Sequence, residues 1–233
     1  MNGGAPVVLL SGWGTGGEAW DPVLPGLGGG VVRPLAWHEA DEGDGRGLSE
    51  LLSSEKEPWV VAGWSLGALL ALRGALAFPS RVAALVLVSA TARLCRDGDW
   101  PGADPRAVRA MRGRLPADRA AVLEGFADLC ARPDGGDAAR ERFLDGARRH
   151  PLERLSRGLS LLASLDLRAR AGEVAVPVTL LHGGEDGVVP AGSARALSSL
   201  LPRARLDVVA GRGHALPWTD PGRVARAVRE ARR

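Results

Sequence analysis

The stretch VVAGWSLGALLALRGAL, residues 60–76, contains two kinds of sequence that meet at Ser65. A β-branched apolar run leads into Gly63-Trp64-Ser65-Leu66-Gly67, and an Ala/Leu-rich segment follows it. Short runs of the first kind are typical of buried strands, and longer segments of the second kind are typical of helices. The stretch therefore predicts a strand and a helix joined by a turn that holds a serine hydroxyl.

Similar Val-rich runs recur along the chain without strict alternation, which favours strands covered on both faces. The runs are Val7–Leu10, Val31–Trp37, Trp59–Ala62, Val82–Ser89, Val176–Leu181 and Leu206–Ala210. Helical segments are predicted between them at Leu66–Ala77, Ala191–Leu201 and Pro221–Arg233. Strands that alternate with helices predict an α/β protein with a doubly wound, mostly parallel sheet.

The alternation is interrupted once, between residues 91 and 170, where no run resembles a strand. Apolar residues recur there at helical spacing, as at Leu152, Leu155, Leu159 and Leu162, and prolines separate the helical stretches. We therefore predict an α/β core formed by residues 1–90 and 171–233, with residues 91–170 inserted between two strands as a helical cap.

The composition of the 233 residues limits the class of protein. An apolar fraction of 45% and a charged fraction of 24% are ordinary for a globular domain, and no apolar run approaches the roughly 20 residues that span a bilayer. The start, Met1-Asn2-Gly3-Gly4-Ala5-Pro6, does not resemble a secretory signal, so Cys95 and Cys130 are expected to be free thiols. We expect a cytoplasmic monomer with no membrane partner.

Positive charge is concentrated in the predicted cap. Residues 90–170 contain 16 arginines and 12 acidic residues, whereas the rest of the chain has 14 basic and 15 acidic residues. Because the excess lies in one segment, the pI of 9.6 does not by itself indicate binding along a nucleic acid, and we predict no such partner.

An early glycine motif raises the alternative of a dinucleotide-binding protein. Gly12-Trp13-Gly14-Thr15-Gly16-Gly17 matches G-x-G-x-x-G after a predicted strand. A pyrophosphate site also needs a sustained helix from the third glycine, and Pro22 and Pro25 interrupt that helix. The chain also has no tyrosine, which a short-chain dehydrogenase would need for catalysis. The context therefore disfavours this alternative.

The second glycine motif, G-x-S-x-G at residues 63–67, has the strand before it and the helix after it that a nucleophile elbow requires. The flanking glycines suit a sharp turn where side chains would collide with neighbouring backbone. Ser65 could instead be a helix N-cap, a role that any serine before an Ala/Leu run can take. The motif alone leaves both possibilities open.

A serine nucleophile needs a base and an acid. In α/β proteins with a nucleophile elbow these residues follow the serine in the order Ser, Asp/Glu, His. Asp186 follows the fifth predicted strand and His214 follows the sixth, so both are expected at the ligand-binding edge of the sheet. Glu185 is the rival acid, but Gly187 permits the tight turn that the shorter Asp186 needs. The other histidines, His38, His150 and His182, are less well placed as the base.

Backbone amides would complete such a site. In this fold one oxyanion N–H belongs to the residue after the serine, here Leu66, and the other to the loop after an early strand, here Trp13. Trp13 and Trp64 are expected to flank Ser65 as an apolar slot. Further candidates for contact with the substrate are Phe126 and Phe143 of the predicted cap.

Taken together, these residues resemble the α/β-hydrolase superfamily over nearly the whole chain, and more narrowly the pimeloyl-[acyl-carrier protein] methyl ester esterases of biotin synthesis. The motifs that carry the narrower resemblance are Gly12-Trp13-Gly14, Gly63-Trp64-Ser65-Leu66-Gly67, Asp99-Trp100-Pro101-Gly102, Leu165-Asp166-Leu167-Arg168, Asp186-Gly187-Val188-Val189-Pro190 and Gly213-His214-Ala215-Leu216-Pro217. The borders of the insertion, Trp-Pro-Gly and Asp-Leu-Arg, are the more selective of these.

The resemblance implies a Ser65-His214-Asp186 esterase that needs no metal or cofactor. Its substrate would be a small acyl ester on an acidic acyl-carrier protein, which docks on arginines of the helical cap. The implied docking residues are Arg140, Arg142, Arg148, Arg149, Arg154 and Arg157. Complementary charge of this kind steers encounter more than it adds affinity.

Two departures from the family pattern put the substrate in question. Ser11 stands where many members of the superfamily have histidine, and the acidic stretch from Trp37 to Leu48, expected to be a loop, lacks the family's usual Asp-x-x-G-x-G run. Three alternatives stay open: a general small-ester or carbon–carbon hydrolase, a lyase like those of menaquinone synthesis, and a small-molecule receptor without catalysis.

Overall fold

The computed structural model describes residues 4–41 and 46–233, and a single parallel sheet forms its centre. The strands are β1 (Val7–Leu10), β2 (Val32–Leu35), β3 (Trp59–Trp64), β4 (Val82–Val88), β5 (Val178–Gly183) and β6 (Ala204–Val209). Their spatial order is β2-β1-β3-β4-β5-β6, and every neighbouring pair is parallel. The predicted α/β class with a doubly wound sheet is confirmed.

Helices cover both faces of this sheet. They are α1 (Trp37–Ala40), α2 (Arg46–Ser54), α3 (Leu66–Ala77), α4 (Pro105–Arg114), α5 (Arg119–Ala131), α6 (Gly136–Arg149), α7 (Leu152–Ser164), α8 (Ala191–Leu200), α9 (Leu216–Thr219) and α10 (Pro221–Ala231). In β1, Val8 and Leu10 pack into one apolar cluster, while Val7 and Leu9 pack into a second. Both faces of the strand are therefore buried, which explains apolar runs without alternation.

Chain order reverses between β1 and β3, because β2 lies on one side of β1 and β3 on the other. At such a reversal the loops that leave the two strands diverge and open a crevice at their carboxyl ends. The loop that begins at Ser11 and the turn at Ser65 leave β1 and β3 at this point. Both glycine motifs thus lie at the edge where open parallel sheets bind ligands.

Four helices, α4 to α7, lie between β4 and β5, where the sequence predicts the cap. The two ends of this segment meet: Arg168 binds Asp166 and Asp97 at 2.7 Å each, and its guanidinium lies 5.6 Å from the Trp100 ring. Hydrogen bonds from Arg168 and Arg93 lower the pKa of Asp166 to about 2. The predicted borders lie just outside this contact, since residue 91 precedes its first residues and residue 170 follows its last. The division into core and cap stays a proposal.

One region differs from its prediction. The stretch from Trp37 to Leu48, expected to be a loop, begins with α1 and ends inside α2, while residues 42–45 lie outside the described part of the chain. Glu39 accepts the Ala36 N–H at 2.6 Å, and the Trp37 side chain is fully buried. The start of α1 is therefore fixed by this hydrogen bond and by the buried indole, although the acidic composition is typical of a loop.

Cys95 and Cys130 are both buried free thiols, as predicted. Among the residues that the structure describes, no helix is both long enough and apolar enough to cross a membrane.

Candidate active site

Ser65 occupies the turn between β3 and α3 in an uncommon backbone conformation, with φ of 56° and ψ of −117°. Its N–H donates to the Val88 carbonyl at 2.9 Å, and its carbonyl accepts the N–H groups of Ala68 and Leu69. A non-glycine residue held at positive φ costs about 1–3 kcal/mol and persists only where the surroundings impose it. The neighbouring strand and the first turn of α3 impose it here.

Two glycines make this turn possible by allowing backbones to touch. A Cβ at Gly63 would lie 2.3 Å from the carbonyl oxygen of Gly67, and a Cβ at Gly67 would lie 2.2 Å from that of Leu10. Real Cβ atoms do not approach oxygen this closely, so a larger residue at either position must displace the backbone. The spacing G-x-S-x-G therefore reflects two backbone contacts, one within the turn and one with β1.

Asp186 and His214, which follow β5 and β6, are in direct contact. His214 Nδ1 lies 2.8 Å from Asp186 Oδ2, and both side chains are almost fully buried. Asp186 Oδ1 accepts the N–H groups of Val188 and Val189 at 2.9 and 2.8 Å. A carboxylate with these donors holds the imidazole proton on Nδ1 and leaves Nε2 as the nitrogen that can accept a proton. Glu185, the rival acid, is exposed.

The Asp186 carboxyl group stays ionised despite its surroundings. Burial raises the pKa of Asp186, but the His214 imidazole and the hydrogen bonds outweigh burial and hold that pKa below its usual value. Burial also raises the pKa of the Cys130 thiol, and the nearby Asp186 charge raises it further. The thiol is therefore protonated, and the carboxylate is the charged partner of His214.

The backbone of His214 is held by two residues at the edge of the sheet. Trp64 Nε1 and Ser89 Oγ donate to the His214 carbonyl at 2.9 and 3.1 Å. The Trp64 ring, 2% exposed, packs 5.7 Å from the imidazole and 4.8 Å from the Trp218 ring. These contacts support Trp64 as a residue that positions His214, while its predicted contact with substrate stays a prediction.

The loop after β1 lies beside the serine. A Cβ built on Gly12 would be 3.5 Å from Ser65 Cβ. The loop is tightly tied: the Gly12 carbonyl accepts from the N–H and hydroxyl of Thr15, and Ser11 Oγ donates to the Thr15 carbonyl at 2.9 Å. Ser11 Oγ also accepts the Trp37 N–H at 3.1 Å. Ser11, one of the two departures from the family pattern, thus holds the predicted oxyanion loop through its hydroxyl.

Trp13 joins this loop to the helices of the insertion. Its Nε1 donates to the Leu155 carbonyl of α7 at 2.9 Å, and its ring lies 5.0 Å from Phe126 and 6.1 Å from Phe143. The rings of Phe126 and Phe143 are 5.2 Å apart. The structure therefore brings three of the predicted substrate-binding side chains into one aromatic cluster. Whether they contact a substrate stays a prediction.

The six arginines predicted to dock a partner lie on α6 and α7, but their charges are not equally available. Arg140 binds Asp128 at 2.7 Å and Glu141 at 2.9 Å, and Arg157 binds the buried carboxylate of Asp41 at 3.0 Å. The closest acidic group to Arg148 is at 3.8 Å, and Arg149 contacts a carbonyl of its own helix. Neither Arg142 nor Arg154 has a carboxylate within 4 Å among the described residues.

Sequence reasoning passed over His182, which lies in contact with the Asp186 carboxylate. His182 Nε2 is 2.8 Å from the Val189 carbonyl and 3.4 Å from Asp186 Oδ2. Burial lowers the pKa of His182, so the ring is neutral and its Nε2 proton points to these oxygens. Its place at the end of β5, four residues before Asp186, was a signal that could have been used.

Comparison with known proteins identifies the family of this chain. The chain belongs to the alpha/beta hydrolase family, whose model matches residues 7–227. Within the curated proteins it is similar to the pimeloyl-[acyl-carrier protein] methyl ester esterase of Photobacterium profundum, with 34% identity over 91% of this chain and 88% of that protein. The protein of the same name from Nitrosomonas europaea is 33% identical over 91% of this chain and 89% of its own length.

Solved structures show the same fold at lower sequence identity. An esterase from Exiguobacterium antarcticum superposes with a TM-score of 0.83 at 21% identity, covering 100% of this chain and 93% of that one. A hydrolase from Oleispira antarctica gives a TM-score of 0.88 at 12% identity, covering 99% and 92%. At these identities the similarity establishes the fold alone.

Proposed function

We propose that this protein is a serine carboxylesterase that hydrolyses the methyl ester of pimeloyl-[acyl-carrier protein] in biotin synthesis, releasing methanol and the pimeloyl carboxylate. The reaction class rests on the buried Asp186–His214 contact at the sheet edge that also holds the strained Ser65 turn. The substrate rests on the curated relatives, which carry that name and align with about nine-tenths of the chain.

In the proposed first half-reaction, Ser65 Oγ attacks the ester carbonyl carbon while His214 Nε2 takes the hydroxyl proton. Asp186 holds the imidazole in the required tautomer and stabilises the imidazolium that forms. The amides of Leu66 and Trp13 donate to the oxyanion, a role that contributes about 3 kcal/mol per donor. His214 then returns the proton to the methoxide leaving group, and methanol departs from the acyl-enzyme.

In the second half-reaction, water replaces methanol in the same site. His214 takes a proton from the water as its oxygen attacks the acyl carbon, and then protonates Ser65 Oγ as the serine leaves. The products are the free carboxylate and the regenerated hydroxyl. The two half-reactions together consume one water molecule and need no metal or redox partner.

The helices of the insertion supply the proposed binding surfaces. Phe126, the partly exposed member of the aromatic cluster, offers apolar surface to the methylene chain of the acyl group, while the buried rings of Trp13 and Phe143 pack behind it. Arginines on the outside of the insertion would attract the acidic carrier that holds the other end of the chain. Residues 91–170 would thus act as the cap that selects the substrate.

Replacement of Ser65 tests the nucleophile. We expect Ser65→Ala to lower turnover of the carrier-linked methyl ester and of a short p-nitrophenyl ester by at least about a thousandfold. Ser199→Ala, on the exposed side of α8, is the matched control and should keep the wild-type rate. A fluorophosphonate probe should label wild-type Ser65 and leave the Ser65→Ala variant unlabelled, as seen by mass spectrometry.

The same assay separates the alternatives. Wild-type turnover that persists in Ser65→Ala contradicts the assigned nucleophile. Turnover of short esters without turnover of the carrier-linked ester keeps the esterase and removes the carrier-linked substrate. Binding of an ester with neither turnover nor a covalent adduct at Ser65 indicates a receptor.

A further inference from the structure

The loop between α5 and α6, residues 132–135, lies against the loop that carries His214. A Cβ built on Gly213 would be 1.9 Å from the Arg132 carbonyl oxygen, so the two backbones are in contact. Any side chain at position 213 would push the loops apart. The inserted helices therefore meet the site one residue before its proposed base.

Asp134 makes this contact specific. Its Oδ1 accepts the N–H of Gly213 at 2.9 Å, and its Oδ2 accepts Arg212 Nη1 at 3.1 Å. The Asp134 side chain is only 13% exposed. Hydrogen bonds to a charged acceptor in a shielded position are shorter and stronger than neutral ones. One carboxylate thus holds two consecutive residues of the loop that leads to His214.

The remaining contacts of this loop come from the core. Trp64 and Ser89 hold the His214 carbonyl, and Asp186 holds its ring. Asp134, from the loop between α5 and α6, holds the peptide between Arg212 and Gly213, one residue before His214. The His214 carbonyl is fixed by the core and the Gly213 N–H by Asp134, so the short piece of backbone that carries the His214 Cα is held at both ends.

We infer that Asp134 is a positioning residue for His214, through which the inserted helices set the place of the proton-transferring imidazole. This inference rests on the proposed function. Loss of the carboxylate would leave the core contacts intact but release the peptide between Arg212 and Gly213. A displacement of about 1 Å at a reacting group can cost on the order of a hundredfold in rate.

The experiment measures kcat and KM for a short p-nitrophenyl ester, which needs no carrier, and expresses kcat per serine titrated with a fluorophosphonate. We expect Asp134→Ala to lower kcat about tenfold and to leave KM within twofold. Asp134→Asn keeps an oxygen that can accept the Gly213 N–H, so it should recover most of the wild-type kcat. Asp137→Ala is the matched control, since Asp137 is an exposed carboxylate three residues further on, and its kcat should equal that of wild type.

Asp134→Glu guards against a folding defect. It keeps a carboxylate for Arg212 but moves the oxygens by one methylene, so kcat should fall about threefold in a protein that melts like wild type. An Asp134→Ala variant with the wild-type kcat overturns the role of Asp134. If the alanine variant does not fold, a wild-type kcat in Asp134→Glu overturns it. A wild-type protein that neither hydrolyses the ester nor reacts with the fluorophosphonate overturns the proposed function as well.

Discussion

At the scale of single residues, the turn at Ser65 depends on atoms that are missing from its neighbours. Gly67, in the first turn of α3, packs against the end of β1. A Cβ built on Gly67 would lie 2.2 and 2.5 Å from the carbonyl oxygens of Leu10 and Ser11. Both oxygens belong to backbone that cannot rotate away. The glycine is therefore required by the approach of helix to strand and by the position that this approach gives to Ser65.

We expect Gly67→Ala to lower the free energy of unfolding by about 1–3 kcal/mol, the usual cost of overpacking, and to reduce esterase activity. Gly113→Ala is the matched control, because Gly113 lies in α4 with open space around its missing Cβ. Alanine there should raise the free energy of unfolding by up to about 1 kcal/mol. Urea denaturation measures both, and a Gly67→Ala variant as stable as wild type would contradict the prediction.

Candidate site residues that belong to a short motif, or that directly follow a predicted strand, could be identified from the sequence. Ser65 and its glycines form a motif within five positions, and Asp186 and His214 follow strands that the sequence also indicates. The structure places Asp186 and His214 in contact, and their catalytic roles stay predictions. The hydrogen bond between the Trp37 N–H and Ser11 Oγ could not be predicted, because the distance between these residues depends on the pairing of β1 with β2.

At the scale of elements, two histidines lie where α1 meets the end of α6. The rings of His38 and His150 are 5.4 Å apart, with Arg154 and Glu18 close enough to act on both. Burial, then Arg154 and His150, lower the pKa of His38 to about 4, against the opposing charge of Glu18. Burial and Arg154 also lower the pKa of His150. Both rings are therefore neutral in the folded protein near neutral pH.

The pH dependence of stability follows from this depression. A group whose pKa is lower in the folded than in the unfolded state favours folding above its unfolded pKa of about 6.5. That contribution is lost as the pH falls through the folded pKa, which for His38 is about 4. We expect His38→Gln to lose less stability than wild type between pH 7 and pH 4.5, as measured by thermal melting. Equal losses in the two proteins would show that His38 is not responsible.

Elements were predictable to the extent that they are long and periodic. All six strands and the helices α3, α8 and α10 lie within a few residues of the predicted runs. The short helix α1 was expected to be loop, since four residues carry no periodic signal and this helix is held by burial of Trp37. Local patterns weaken where tertiary packing supplies the stability.

At the scale of the whole molecule, positive charge is distributed unevenly over the inserted helices. α6 carries four arginines but also Asp137, Glu141 and Asp145, whereas α4 carries four arginines and no acidic residue. Two of the six predicted docking residues, Arg140 and Arg157, have carboxylate partners at 3.0 Å or closer, and Arg148 has a more distant one at 3.8 Å. The charges on α6 that are most available to a carrier are those of Arg142, Arg148 and Arg149.

We expect the triple change of Arg142, Arg148 and Arg149 to Glu to raise KM for the carrier-linked ester about tenfold and to leave KM for a short free ester unchanged. The rise should shrink with added salt, because exposed charges are screened. The change of Arg106, Arg109 and Arg112 to Glu on α4 alters net charge equally and is the matched control. If only the α4 set raises KM, the carrier docks on α4 and the prediction for α6 is wrong.

The amino-acid sequence alone was enough to predict the class of fold and the residue types of the candidate site. This was possible because strands buried on both faces of a sheet need apolar residues at successive positions, and because a nucleophile turn needs glycines at fixed spacing. These requirements act between residues close together in the chain.

Contacts between groups far apart in the chain could be seen only in the folded protein. Trp64 reaches the carbonyl of His214 across 150 positions, and Asp134 reaches Gly213 across 79. Such contacts depend on the order of the strands and on how the inserted helices lie over their carboxyl ends. No local pattern encodes either, because each is settled by the packing of the whole chain.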